Sequence, residues 1–172
     1  MNKKGFTLME VLIVVVIIAG LAAVTYPSYK SSIERARASE AVTMLGAIQA
    51  AQEKHFVNYE EYGQDFRDIN DFEPAINGFD PSKTFFYTEY FKYSLATGEN
   101  ANPYAIAQRV NSSHASVNKG YELIAYYNEA FIRCRVLSGS EDGEKVCSSL
   151  TDKEKFDDFY PIGGEPSVAE RI

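Results

Sequence analysis

Apolar residues follow three different patterns along the chain. From Val11 to Tyr29 runs a charge-free stretch of nineteen residues, mostly Val, Ile, Leu and Ala. That is close to the ~20 residues an α-helix needs to cross a bilayer. After Pro27 the pattern turns amphipathic. Ile33, Ala41, Met44, Leu45, Ile48, Ala51 and Phe56 fall on one arc at about 100° per residue, while Arg35, Ser39, Glu53 and Lys54 lie largely elsewhere. Read as one helix from Phe6 to about Asn58, this element is about 80 Å long at 1.5 Å per residue. Pro27 sits inside it, where the missing N–H removes a backbone bond and kinks the axis. Gly63 and the Asp/Asn-rich stretch Asp65 to Gly78 then read as a loop with at most short helical turns.

The third pattern is strand-like: Phe85 to Leu95, Tyr104 to Val110, Tyr121 to Tyr127 and Phe131 to Leu137. These runs are rich in Phe, Tyr, Ile and Val and are separated by Gly or Asn stretches. Asn128-Glu129-Ala130 is short enough to join the last two as a hairpin, which makes the sheet antiparallel. One sheet with a helix across one face is the expected way to bury its apolar side, so the fold class is α+β. Twelve of the twenty-three aromatics lie between Phe56 and Tyr93. They read as sheet–helix core and cross-strand pairs, with a functional aromatic surface for adhesion or packing as the alternative.

Composition changes this picture only when it is divided. The 172 residues are 45% hydrophobic and 24% charged, as in an ordinary globular protein. Met1 to Asn58, however, carries a net +2, and Tyr59 to Ile172 a net −9. An acidic second part argues against nucleic-acid binding, which needs a basic surface to displace counterions.

Three readings compete for the N-terminus. One is a secretory signal peptide, with Lys3 and Lys4 as its basic region and a small-residue end near Ala22–Ala23. Another is a simple signal anchor held by the same lysines. Neither accounts for Glu10, since a carboxylate at mid-bilayer costs about 2.5–3.5 kcal/mol. The run Lys3-Lys4-Gly5-Phe6-Thr7-Leu8-Met9-Glu10, continued by Val11 to Ile18, resembles the class III signal of type IV pilins and pseudopilins, in its type IVa-like form.

The resemblance implies a specific life history. Residues 1–5 are a leader removed by prepilin peptidase after Gly5, and the same enzyme methylates the new N-terminal Phe6. Residues 6–29 form a transmembrane and assembly helix, and 30–58 its amphipathic continuation. Residues 59–84 are a connecting loop, and 85–172 a head whose four-stranded antiparallel sheet packs on the second half of the helix. Glu10 neutralises the Phe6 amine of a neighbouring subunit and sets the assembly register. The family's proline is Pro27, while its usual glycine is displaced, with Ala19 in its place and Gly20 following. The implied partners are further copies of the chain, the peptidase/methyltransferase, the assembly platform with its ATPase, and the inner membrane. The implied location is the inner membrane with a periplasmic head, then an extracellular pilus. No nucleic acid is expected.

Cys134 and Cys147 are the two cysteines. In an exported head two cysteines usually pair, and the family's disulfide-bounded loop matches these positions, with Ser138 to Val146 as its exposed content. Two unpaired thiols are the alternative. Glu141, Asp142 and Glu144 lack the EF-hand spacing and read as a charged turn in preference to a calcium site. His55 and His114 read as packing or surface residues. Asn111-Ser112-Ser113 fits the minimal glycosylation pattern but has Arg109 where the common bacterial system favours an acidic residue. No GxSxG, HExxH, Walker A or GxGxxG pattern occurs, so neither an enzyme, a cofactor nor a metal is expected. Two functions remain: a subunit of a surface type IV pilus, and a pseudopilin of a type II secretion system.

Overall fold

The computed structural model describes residues 7–69, 72, 74, 79–80, 84–97, 102–110, 117–137 and 140–164, with the side chains of 27 and 117–119 excepted. Helix α1 spans Leu8–Tyr59. Strands β1 (Phe85–Tyr87), β2 (Phe91–Thr97), β3 (Pro103–Val110), β4 (Val117–Tyr126) and β5 (Ile132–Val136) follow, then α2 (Glu141–Leu150) and β6 (Phe159–Ile162). The chain divides into two compact units between Glu34 and Arg35, within α1.

In the first unit the start of α1 is set by Thr7. Its Oγ1 accepts the Glu10 N–H at 3.2 Å and its carbonyl accepts the Val11 N–H at 3.3 Å, which satisfies donors that a helix N-terminus leaves open. The helix runs on through Gly20 and Pro27. Side chains described from Leu8 to Ser32 are exposed throughout.

In the second unit all six strands form one antiparallel sheet in the order β1-β2-β3-β4-β5-β6. Ala38, Ala41, Leu45 and Ile48 of α1 share one buried cluster with Tyr93, Ala105, Ala107, Leu123 and Ala125. The alanines on the strands leave room for the helix to approach. Phe66, Phe72 and Phe86 close the end of this cluster, with Phe86 stacked on Tyr93 at 4.9 Å between ring centres. Most of the aromatic-rich stretch is therefore core, whereas Phe56, Tyr59, Phe85 and Tyr87 are exposed.

Among the described residues the sheet has six strands and not the four expected. The run Phe85 to Leu95 is a hairpin: Thr88 donates its N–H to the Phe91 carbonyl at 2.9 Å, and its Oγ1 accepts the Phe91 N–H at 3.3 Å. No Gly or Pro marks this turn, because a threonine hydroxyl does the local bonding. The sixth strand, Phe159-Tyr160-Pro161-Ile162, contains a proline that masks its character; it is tolerated because β6 lies at an edge.

The segment from Glu141 onward is a helix and not the exposed charged turn expected. Ser140 caps it through Oγ, which accepts the Gly143 N–H at 3.0 Å. Glu141, Asp142 and Glu144 occupy its first turn, where negative charge complements the helix dipole.

Candidate assembly segment and its head

Glu10 lies in the first turn of α1, exposed, with its backbone N–H held by Thr7. Thr7 and Glu10 stand at the spacing of a capping box. From Val11 to Val24 no side chain carries a polar atom. The Thr25 hydroxyl then donates to the Leu21 carbonyl at 3.1 Å. None of this stretch is buried, and α1 is the one helix among the described residues long and apolar enough to cross a membrane. Leu8, Leu12, Val16 and Leu21 are each more than half exposed. Leucine and valine in such a row have nothing to gain from water, so this surface is built to be covered by lipid or protein.

Gly20 has open space around it, since a Cβ added there meets nothing within 4 Å. Pro27 deprives the Ala23 carbonyl of a helical donor. Gly5, Phe6, His114, Asn111 to Ser113 and Ser138-Gly139 lie outside the described residues.

The head is fastened by contacts remote in sequence. Cys134 of β5 and Cys147 of α2, both fully buried, form a disulfide with Cα atoms 5.5 Å apart. Gly143 of α2 packs onto the Gly120 carbonyl of β4, and a Cβ added to Gly143 would lie 2.1 Å from that oxygen. Gly120 itself has φ +74°, a conformation glycine adopts without penalty. At the far side of α2, the Tyr160 hydroxyl donates to Glu144 Oε1 at 2.5 Å, and Lys155 Nζ lies 3.5 Å from Oε2. The hydrogen bond from Tyr160 holds the Glu144 carboxyl below its ordinary value. The same bond, with some burial, pushes the Tyr160 hydroxyl up to about 12. Among the described residues no three His, Cys, Asp or Glu side chains converge as a metal site. His55 lies against the Tyr59 ring, 4.6 Å between centres.

A profile described as the prokaryotic N-terminal methylation motif matches residues 1–26. The chain is 38% identical over 60 residues to a fimbrial protein of Neisseria meningitidis serogroup B, covering 35% of each chain. It is 39% identical over 57 residues to the type IV major pilin protein PilE1 of Neisseria gonorrhoeae, covering 33% of this chain and 34% of that one. With the type IV major pilin protein PilA of Myxococcus xanthus it shares 41% identity over 98 residues, 57% of this chain and 40% of the relative. The chain carries the N-terminal methylation motif of prokaryotic prepilins and is similar over part of its length to type IV pilins. It spans about a third of the length of the first relatives it matches.

Three features of the head escape sequence reasoning. Gln49 donates to the Tyr126 carbonyl at 2.8 Å and to that of Glu129 at 3.0 Å, tying α1 to the β4–β5 turn. Gln52 is fully buried beside Gly63. Glu122, 3% exposed, accepts from Arg135 Nε at 2.7 Å and Gln108 at 3.3 Å, its cross-strand neighbours on either side. Gln52 does leave a signal, because it continues the 41-45-48 spacing of buried positions, where a polar residue implies a built-in partner.

Proposed function

We propose that this chain is a structural subunit of a type IV pilus. Its precursor sits in the inner membrane with the head in the periplasm and is cut by prepilin peptidase after Gly5. Phe6 becomes the N-methylated terminus, and the platform and ATPase machinery move the mature chain into a filament for adhesion or motility. The observation that carries this reading is the uncovered, charge-free length of α1 with one carboxylate, Glu10, in its first turn.

In a filament the α1 segments of other copies replace lipid around that surface, so burial of apolar area drives polymerisation. A Phe6 amine lying beside Glu10 of a neighbour neutralises a charge that would otherwise be desolvated, and removing one partner of such a pair costs roughly 3–5 kcal/mol. That asymmetry makes one stagger of subunits preferred over others. The chain's role is non-covalent self-assembly and not catalysis.

The test is composition of sheared extracellular fibres, read by mass spectrometry together with the N-terminus of the mature chain. A surface pilin appears there as the main component, beginning at methylated Phe6. Its confinement to the cell envelope at native expression favours the type II secretion pseudopilin instead.

A further inference from the structure

We propose that Tyr26, Tyr29 and Lys30 form an interfacial anchor that seats α1 at one depth in a phospholipid bilayer, at the headgroup level opposite Glu10. The inference rests on the membrane-resident precursor stage of the reading above.

Glu10 and Lys30 are the charges that bound the nineteen-residue run. Twenty helical steps separate them, roughly 30 Å at 1.5 Å per residue, which equals the hydrocarbon thickness of a typical bilayer. Both charges therefore reach a boundary at the same time. A shift of the helix by one turn in either direction draws one of them into hydrocarbon.

Polar side chains reinforce the same limit. Starting from Glu10, the first is Thr25, whose hydroxyl is satisfied by the Leu21 carbonyl and needs no water. The next is Tyr26, so the first side chain requiring an aqueous partner lies one residue beyond. Tyr26 and Tyr29 are 59% and 64% exposed and three residues apart, hence on one side of the helix. The Lys30 ammonium lies over the Tyr26 ring, 4.6 Å from its centre. An apolar ring with a polar tip, paired with a cation, fits the headgroup zone, where tyrosine is enriched and lysine keeps its charge wet.

A second copy of the helix is the poorer partner for this patch. Helix pairs in an apolar medium approach through small residues, and two tyrosines and a lysine hold a neighbour away. The bilayer headgroup is the partner that uses both the rings and the charge.

The anchor is tested with the full chain in spheroplasts, carrying one added cysteine at successive positions from 22 to 34, with 26, 29 and 30 left intact. Labelling uses a membrane-impermeant maleimide. Cys134 and Cys147 are paired and stay silent. In the native background labelling rises from background to full between about 28 and 32. In Tyr26→Ala/Tyr29→Ala/Lys30→Ala the transition moves by about one helical turn. In Tyr26→Trp/Tyr29→Trp it stays in place, because tryptophan serves the same interface.

A membrane-retained triple variant with an unmoved transition overturns the anchor alone. So does a tryptophan variant that moves as far as the alanine one. Release of the unaltered chain by alkaline carbonate overturns the membrane reading and the anchor together.

Discussion

Gln52 and Gly63 exchange a reciprocal pair of hydrogen bonds. The Gln52 amide donates to the Gly63 carbonyl at 3.0 Å, and the Gly63 N–H donates back to Oε1 at 2.8 Å. The pair ends α1 in the head by fastening the loop beneath it, and it does so inside the core, where neither group has access to water. A backbone that leaves a helix must find partners for its polar groups, and here a side chain of the helix supplies both.

Gln52→Met keeps the volume and removes both bonds, leaving a buried N–H and carbonyl unmet. Each such group costs about 1–3 kcal/mol. Thermal unfolding of the detergent-solubilised chain should show a clear drop in Tm. An unchanged Tm would mean that the loop bonds elsewhere and that the pair is incidental.

Gly143→Ala tests the seating of α2. Alanine raises helix propensity by about 0.8–1.0 kcal/mol, but its methyl would meet the Gly120 carbonyl, which is backbone and already accepts the Leu137 N–H at 2.8 Å. The clash should outweigh the propensity gain. The readout is the rate at which dithiothreitol opens Cys134–Cys147, expected to rise several-fold as α2 lifts from β4. Slower reduction would show that propensity dominates.

The Glu144–Tyr160 bond predicts loss of stability at both ends of the pH scale. Glu144 has a lowered value in the fold, so its contribution is present above the ordinary carboxylate range and is lost as pH falls through the folded value. Tyr160 has a raised value, about 12, so its contribution is present below the ordinary phenol value and is lost as pH rises through 12. Tyr160→Phe should flatten the acid limb of a stability–pH curve. Equal acid sensitivity in the native chain and the variant would assign that limb to other carboxylates.

On the function proposed above, substitutions at Gly5 and at Glu10 should separate processing from assembly. A bulky residue at Gly5 should leave the precursor uncut, visible as the retained mass of Met1 to residue 5. Glu10→Ala should be cut normally yet enter fibres poorly, with yield falling by about tenfold or more, as loss of one partner of a desolvated pair implies. Normal fibre yield from Glu10→Ala would remove the amine–carboxylate pair from the assembly scheme.

Much of the fold can be read from the chain because its main division is local. The apolar run, the amphipathic arc that follows, and the motif around Gly5, Phe6 and Glu10 are contiguous, so neighbours in sequence suffice to recognise them. The β3, β4 and β5 runs are legible for the same reason. The division of Phe85 to Leu95 into two strands is not, since it depends on the Thr88 hydroxyl reaching Phe91.

By itself, then, the sequence determines a membrane-length helix with a carboxylate at its start and an acidic, aromatic-rich α+β head beyond it. Only the tertiary structure decides how that head closes: six strands, α2 seated on Gly120, Gln52 turned inward to Gly63, and Glu122 shared by Arg135 and Gln108. The physical reason is range. Hydrophobic periodicity is written over a few residues, whereas a buried polar group declares its partner only when distant segments are brought together.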